Sequence, residues 1–341
     1  MRIAIVASPV TPLAAAQLGG TQSVVCDLAL GLTRRGHRVQ VHCAEGSDIP
    51  GVDLVMVPTP VDALDALVLP GGQPRPATPG VTAAIESMFR SITRDRPDAV
   101  SVHAYDAPAF EAPAAVPTLY TLHMPPMVEA VVDAIRIVPA HRLVTVSESC
   151  RALWKAEGVS IGRVIRNGVT SIPIGELEVE NFALVAGRIS PEKGVDHALR
   201  AIRAAGLPVR VAGAVYDPDY VVDFSGAEML GSLRQDELRR WMGRSAVTVC
   251  ASRWDEPFGL VAAEAQMAGC PVAAYRRGAL SEVVEEGVSG FLAAPDDIDE
   301  LALAIVRCLV LDRAAVMNSA QRRLHLGGML DGYEAALREA V

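Results

Sequence analysis

No stretch of the chain approaches the roughly 18 consecutive apolar residues that a membrane-spanning helix needs, so an integral helical membrane protein is excluded. Positive charge is also short: 31 Lys and Arg stand against 40 Asp and Glu, a net charge of -9. Nucleic acids and anionic membranes attract proteins through clustered cations, so neither is an expected partner, and any bound anion must be held by local groups. The six cysteines, Cys26, Cys43, Cys150, Cys250, Cys270 and Cys308, contain no C-x-x-C spacing. That argues against a zinc site and against a disulfide framework, and it fits a reducing compartment. A G-x-G-x-x-G after the first strand is absent as well, since Ala7 leads into SPVTP and then GGTQ, which disfavours a dinucleotide-dependent oxidoreductase. The opening MRIAIVASPVTP has one Arg, a short apolar run and two early prolines, a buried first strand and not a secretory signal. The expected setting is cytoplasmic.

What is present is a large apolar content: 50% of the 341 residues are hydrophobic and 21% charged, enough to bury a substantial core without disorder. At roughly 100 to 200 residues per domain, this length implies two lobes. From Arg2 to Cys43 the sequence reads strand (RIAIVA), Gly-containing loop, helix (SVVCDLALGLTRR, closed by Gly36) and strand (RVQVHC), a βαβ unit. Val-rich runs at 52–57, 98–102, 117–122 and 142–146 continue the alternation, which implies a parallel sheet. The proline-rich segment from Leu69 to Val81 can continue neither strand nor helix and reads as a functional loop. The pattern weakens over NGVTSIPIGELEVE, where a hinge near residue 173 is expected. It then restarts with FALVAGRI, PVRVAGA, SAVTVCAS and CPVAAY as strands of a second doubly wound lobe. Ligands of such sheets bind beyond the carboxyl ends of the strands, so two lobes facing each other across a cleft are expected to hold the site there.

Three segments on those loops carry charge in a suggestive pattern. In GRISPEKG, Ser190 and Pro191 look like the N-cap and first position of a helix, with Arg188 and Lys193 flanking its start. Cations at a helix N-terminus are unfavourable unless an anion joins them; a diphosphate would serve, and so, in part, would Glu192. In DEPFGLVAAEAQMAGCPVAAY, Glu256 lies in a loop and Glu264 on the following helix among Val261, Ala262, Ala263, Ala265 and Ala268, where an unpaired carboxylate is costly. Carboxylates can accept hydrogen bonds from vicinal sugar or ribose hydroxyls. In YRRGALSEVVEEGVSGFL, Gly278 and Ala279 precede a helix that Ser281 can cap, an arrangement that either cradles phosphate through bare amides or binds nothing. Gly19 and Gly20 open the first helix as either a ligand-approaching loop or a plain turn. His103 and His123 each follow a strand at its edge.

GRISPEKG, the E-x7-E of Glu256 and Glu264, and GALSEVVEEGVSGFL together resemble glycosyltransferase family 4, of GT-B fold: two Rossmann-like doubly wound α/β lobes. The similarity extends over GGTQSVVCDLALGLTRRGHRV, VTVSESCRALW, IRNGV and EMLGSLRQDELRRWMGRSAVTVCAS, leaving only the middle of the first lobe obscure. The resemblance implies an acceptor lobe over residues 1–172, a sugar-nucleotide donor lobe over 173–320, and a terminal helix at 321–341 that returns to the first lobe. It implies that Arg188 and Lys193 bind the donor diphosphate, Glu264 the ribose hydroxyls and Glu256 the donor sugar, while Gly278, Ala279 and Leu280 give amides to phosphate or sugar. His123 matches the family's histidine beside the donor sugar, and Gly20 its glycine loop near the phosphate. Backbone groups near Gly231 to Arg234 would read the base. Departures are Met124 where Asp is frequent after the histidine, Thr170 where NGVD is common, and AGAVYDPDY in place of a Gly-rich turn.

The implied activity is transfer of a sugar from a nucleoside-diphosphate sugar, UDP favoured, to the hydroxyl of a small-molecule or glycoconjugate acceptor, with retention at the anomeric carbon. Neither cofactor nor metal is expected: Asp217, Asp219, Asp296, Asp297 and Asp299 lack convincing ligand spacing, and cationic side chains take the metal's place. Alternatives from the same sequence are a GT-B sugar-nucleotide epimerase or hydrolase, or a non-catalytic sugar-nucleotide-binding protein.

Overall fold

A computed structural model describes residues 1–14, 20–63, 75–113, 116–171 and 178–341. The chain divides into two compact units, Met1–Arg166 with Gly327–Val341, and Asn167–Leu326. The sequence reading sets its boundaries after residues 172 and 320 instead; the hinge near 173, Gly19 and residues 69–74 of the Leu69 to Val81 loop lie outside the described residues, and Pro79 to Val81, expected to belong to that loop, open a helix.

The first unit is built on strands β1 (Arg2–Val6), β2 (Arg38–Ala44), β3 (Asp53–Val57), β4 (Ala99–Val102), β5 (Thr118–Leu122), β6 (Leu143–Thr145) and β7 (Arg163–Val164). They form one parallel sheet in the order β3-β2-β1-β4-β5-β6-β7. β4 and β5 are buried along their whole length, Ser101, Thr118 and Thr121 included, as in a parallel sheet covered on both faces. The helices are α1 (Gly20–Arg34), α2 (Pro79–Asp95), α3 (Glu129–Arg136) and α4 (Glu148–Ala156). Local chemistry sets their starts: Thr78 accepts from the Val81 amide with Pro79 next to it, and Ser147 accepts from the Cys150 amide.

The second unit repeats the plan with β8 (Glu180–Ala186), β9 (Val209–Ala212), β10 (Ala227–Gly231), β11 (Ser245–Cys250), β12 (Val272–Tyr275) and β13 (Gly290–Ala293), again parallel, in the order β10-β9-β8-β11-β12-β13. Its helices are α5 (Val195–Ala204), α6 (Gln235–Arg244), α7 (Leu260–Met267), α8 (Leu280–Val283), α9 (Ile298–Cys308) and α10 (Arg313–Arg323). Each unit has its own core: one centred on Ile85, Met88, Leu122 and Trp154, the other on Ala183, Ile202, Val247 and Tyr275.

The last helix, α11 (Leu326–Ala340), packs on the first unit. A side chain at Gly31 of α1 would collide with Leu330, Tyr333 donates to Thr121 of β5, and Glu334 pairs with Arg35 and His37. Among the described residues no helix is long and apolar enough to cross a membrane.

Two helix starts differ from the sequence reading. Ser190 and Pro191 open a short 3-10 turn, Pro191–Lys193, and α5 begins only after Gly194. Gly194 sits at φ +60, and a Cβ there would run into the Ala251 carbonyl, so the chain must turn once more before the helix. Ser281 lies inside α8 and not at its cap, which is Ala279.

Candidate functional site

In each sheet the strand order reverses once, between β1 and β4 and between β8 and β11. The crevice beyond the carboxyl ends at such a reversal is where doubly wound sheets bind ligands. The second unit puts Arg188 just after β8 and Glu256 just after β11, so the two motifs meet at its reversal point.

Lys193 and Glu256, far apart in sequence, form an ion pair there, Nζ to Oε2 at 2.8 Å. The same Oε2 accepts from Ser252 Oγ at 3.1 Å and Trp254 Nε1 at 3.0 Å, and the Lys193 ammonium lies 5.1 Å from the Trp254 ring centre. Burial alone would raise the Glu256 carboxyl, but the Lys193 charge and these bonds outweigh it and hold it below the usual carboxylate range. Among the described residues no donor reaches its Oε1. Arg188 is more exposed; it bonds Glu192 at 3.3 Å and lies over the Tyr216 ring, while Ser190 Oγ bonds the same Glu192 oxygen at 2.6 Å. The cations that the sequence leaves in need of an anion are thus each held by a carboxylate, Lys193 by one that local sequence gives no sign of.

Glu264 is 8% exposed and finds the partner its apolar helix demands: Oε1 accepts from Gln235 Nε2 at 2.7 Å and Arg239 Nη2 at 3.0 Å. Here too no donor among the described residues reaches the second oxygen. Gln235 and Arg239 stand four apart on α6, a same-face spacing that makes them visible in sequence only once their target is known.

The turn at 278–280 packs on the Glu256 loop. Gly278, at φ +58, sits so close to the Glu256 backbone that any Cβ would collide with it. The expectation of three free amides is corrected: the Ala279 amide donates to the Glu256 carbonyl at 2.8 Å and the Leu280 amide to the Arg277 carbonyl at 3.4 Å. Holding the loop rigid occupies them.

In the first unit, a cavity of about 160 Å³ opens at the ends of β1, β4 and β5, lined among others by Ser8, Thr21, His103, Tyr105, Asp106 and His123. Ser101 Oγ lies 2.9 Å from His103 Nε2, and His103 Nδ1 lies 2.8 Å from His123 Nε2. Burial lowers His123 to about 4; burial, then the neighbouring His123, pushes His103 well below its ordinary value. Both rings are therefore neutral near pH 7. Met124, where the resemblance leads one to expect Asp, also lines the cavity, and its carbonyl accepts from Trp154 Nε1 at 3.0 Å. Gly20 begins α1, and its carbonyl accepts from Ser23 Oγ at 3.1 Å. Sequence reasoning missed Tyr105 and Asp106, which line this cavity, and the buried Ser101, which bonds His103.

Three of the five aspartates named above as lacking ligand spacing have other partners. Asp217 accepts from the Asp219 amide, Asp296 pairs with Arg277 and Arg253, and Asp297 caps α9.

Two family models match adjoining parts of the chain: Glycosyltransferase Family 4 over residues 18–171 and Glycosyl transferases group 1 over residues 172–323. A glycogen synthase from Mycobacterium tuberculosis is 34% identical over 150 residues, 40% of this chain and 36% of that protein. A D-inositol 3-phosphate glycosyltransferase from Mycobacterium avium is 31% identical over 182 residues, 47% of this chain and 43% of that protein. The aligned stretches therefore span less than half of either relative. Among solved structures, Anabaena HepE in complex with UDP-glucose superposes with a TM-score of 0.75 at 18% identity, covering 99% of this chain and 100% of that one. Sucrose-phosphate synthase from Thermosynechococcus elongatus gives a TM-score of 0.74 at 16% identity, with 99% and 98% covered. The fold is thus GT-B, two Rossmann-like lobes, and the chain belongs to glycosyltransferase family 4.

Proposed function

We propose that the chain moves a sugar from a nucleoside-diphosphate sugar, UDP-sugar favoured, to an acceptor hydroxyl, with retention at the anomeric carbon and without a metal ion. The observation that carries this reading is the pair Glu256 and Glu264 at the second unit's reversal point. Each has one oxygen saturated by protein donors, and no described donor reaches the other. A carboxylate oxygen fixed in direction and lacking a donor suits a hydroxyl of a bound polyol.

On this reading Glu264 accepts from the ribose hydroxyls and Glu256 Oε1 from the donor sugar. Arg188 and Lys193 face the diphosphate and stabilise the charge that grows on it as the bond to the sugar breaks. The Gly278 amide, from the turn braced on Glu256, adds a donor. Residues 1–172 form the acceptor side and 173–320 the donor side; the resemblance assigns His123 to the donor sugar and Gly20 to the phosphate. UDP is favoured because HepE is solved with UDP-glucose and with UDP. Retention rests on the family resemblance.

The test is turnover of UDP-glucose with a panel of hydroxyl acceptors, in EDTA and without it. Lys193→Ala is expected to lower turnover by roughly 100 to 1000-fold, the usual cost of removing one donor aimed at developing charge. An unchanged rate in a folded variant removes the phosphate role. A rate that vanishes in EDTA and returns with a divalent ion removes the metal-free reading.

A further inference from the structure

The first unit's cavity has an unbalanced charge. Asp106 lines it beside His103, Tyr105 and His123, and neither Lys nor Arg is among its described lining residues. The sequences of residues 15–19, 64–74 and 114–115 contain neither Lys nor Arg as well. Although Asp106 stands at the N-cap of the short turn Ala107–Phe110, its side chain makes no capping bond. No cation among the described residues acts on it: burial pushes its carboxyl up to about 6, opposed only by its own backbone amide. The two histidines beside it are neutral, and Tyr105 spends its hydroxyl on the Pro125 carbonyl. A half-buried carboxylate in a polar cavity without a countercharge is a group whose partner has to arrive with the ligand.

We propose that this cavity holds the acceptor and sorts it by charge, taking ammonium-bearing polyhydroxyl compounds best, neutral ones next and phosphate-bearing ones last, with Asp106 as the residue that reads the charge. The proposal rests on the transferase reading for the word acceptor; the charge order itself does not. A ligand ammonium supplies the missing countercharge, a hydroxyl gives a hydrogen bond, and a phosphate meets a like charge with no cation to offset it.

The test measures binding, not turnover, of three probes differing only at carbon 6: methyl 6-amino-6-deoxy-α-glucoside, methyl α-glucoside and methyl α-glucoside 6-phosphate. Calorimetry at pH 7.5 is expected to show affinities falling in that order, by roughly tenfold per step, the equivalent of about one pKa unit of interaction. Of the titratable groups lining the cavity, His103 and His123 stay neutral and Tyr105 stays protonated between pH 5 and 7.5, so Asp106 alone changes charge there. The amine's advantage should shrink toward that of the neutral probe at pH 5. Asp106→Asn should abolish the order at both pH values, and the wild-type pH series carries the test if that variant does not fold. Equal affinities, tightest binding of the phosphate, or no binding of any probe overturns the proposal. UDP is titrated into the same preparation: failure of UDP to bind while the order holds removes the donor reading and leaves the charge filter, and the reverse outcome removes only the filter.

Discussion

At the scale of residues, the Lys193–Glu256 pair has two tasks that pull against each other. Its partners are only 24% and 13% exposed, so each charge depends on the other. Removing one member of such a pair strands the other, at a cost of about 3–5 kcal/mol when fully buried and less here. Lys193→Met should therefore lower the thermal midpoint by more than the double variant Lys193→Met, Glu256→Gln, because the second change neutralises the stranded carboxylate. Equal midpoints in the two variants would mean that Ser252 and Trp254 alone satisfy Glu256. The E-x7-E spacing and the GRISPEKG cations are plain in the sequence, whereas their ion pair is not: it joins positions brought together only by β8 lying beside β11. Nor could sequence show that Ala279 gives its amide to the Glu256 carbonyl, since that bond exists to brace one loop with another.

At the scale of elements, all but one of the strands that sequence reveals lie inside the sheets; β3, at an edge with two exposed residues, is the exception. The ones it hides, β7, β10 and β13, are all edge strands, of two, five and four residues, paired on one side only, and β10 is largely exposed. Helix α11 was legible as a helix, but its anchoring depends on charges spread along the chain. Glu334 bonds Arg338, Arg35 and His37, and these hold its carboxyl down at about 2. A folded-state pKa below the unfolded value of about 4.3 adds stability at neutral pH that is lost as pH falls through 4 toward 2. Glu334→Gln should thus destabilise the protein at pH 7 and progressively less toward pH 2, read as the gap between wild-type and variant thermal midpoints. A gap independent of pH would assign the effect to packing and not to charge.

At the scale of the whole molecule, two separate cores around two separate sheets mean that ligand energy can be localised. Proposed donor groups Arg188, Lys193, Glu256 and Glu264 all belong to the unit Asn167–Leu326. A ligand that binds only the native state stabilises it by about 2.7 kcal/mol at a concentration 100 times its Kd. Saturating UDP should therefore slow hydrogen exchange first in the segments around β8, β11 and α7, which carry those side chains. Glu264→Ala should weaken that protection by shifting the UDP concentration required, since an α7 carboxylate held by Arg239 and Gln235 then no longer meets the ribose. Protection by UDP that begins instead in the first unit's cavity segments, or that is indifferent to Glu264→Ala, would move the nucleotide away from the second sheet's reversal point. The same exchange map taken with the amine probe should light up the loops after β4 and β5, so that the two ligands report on the two units separately.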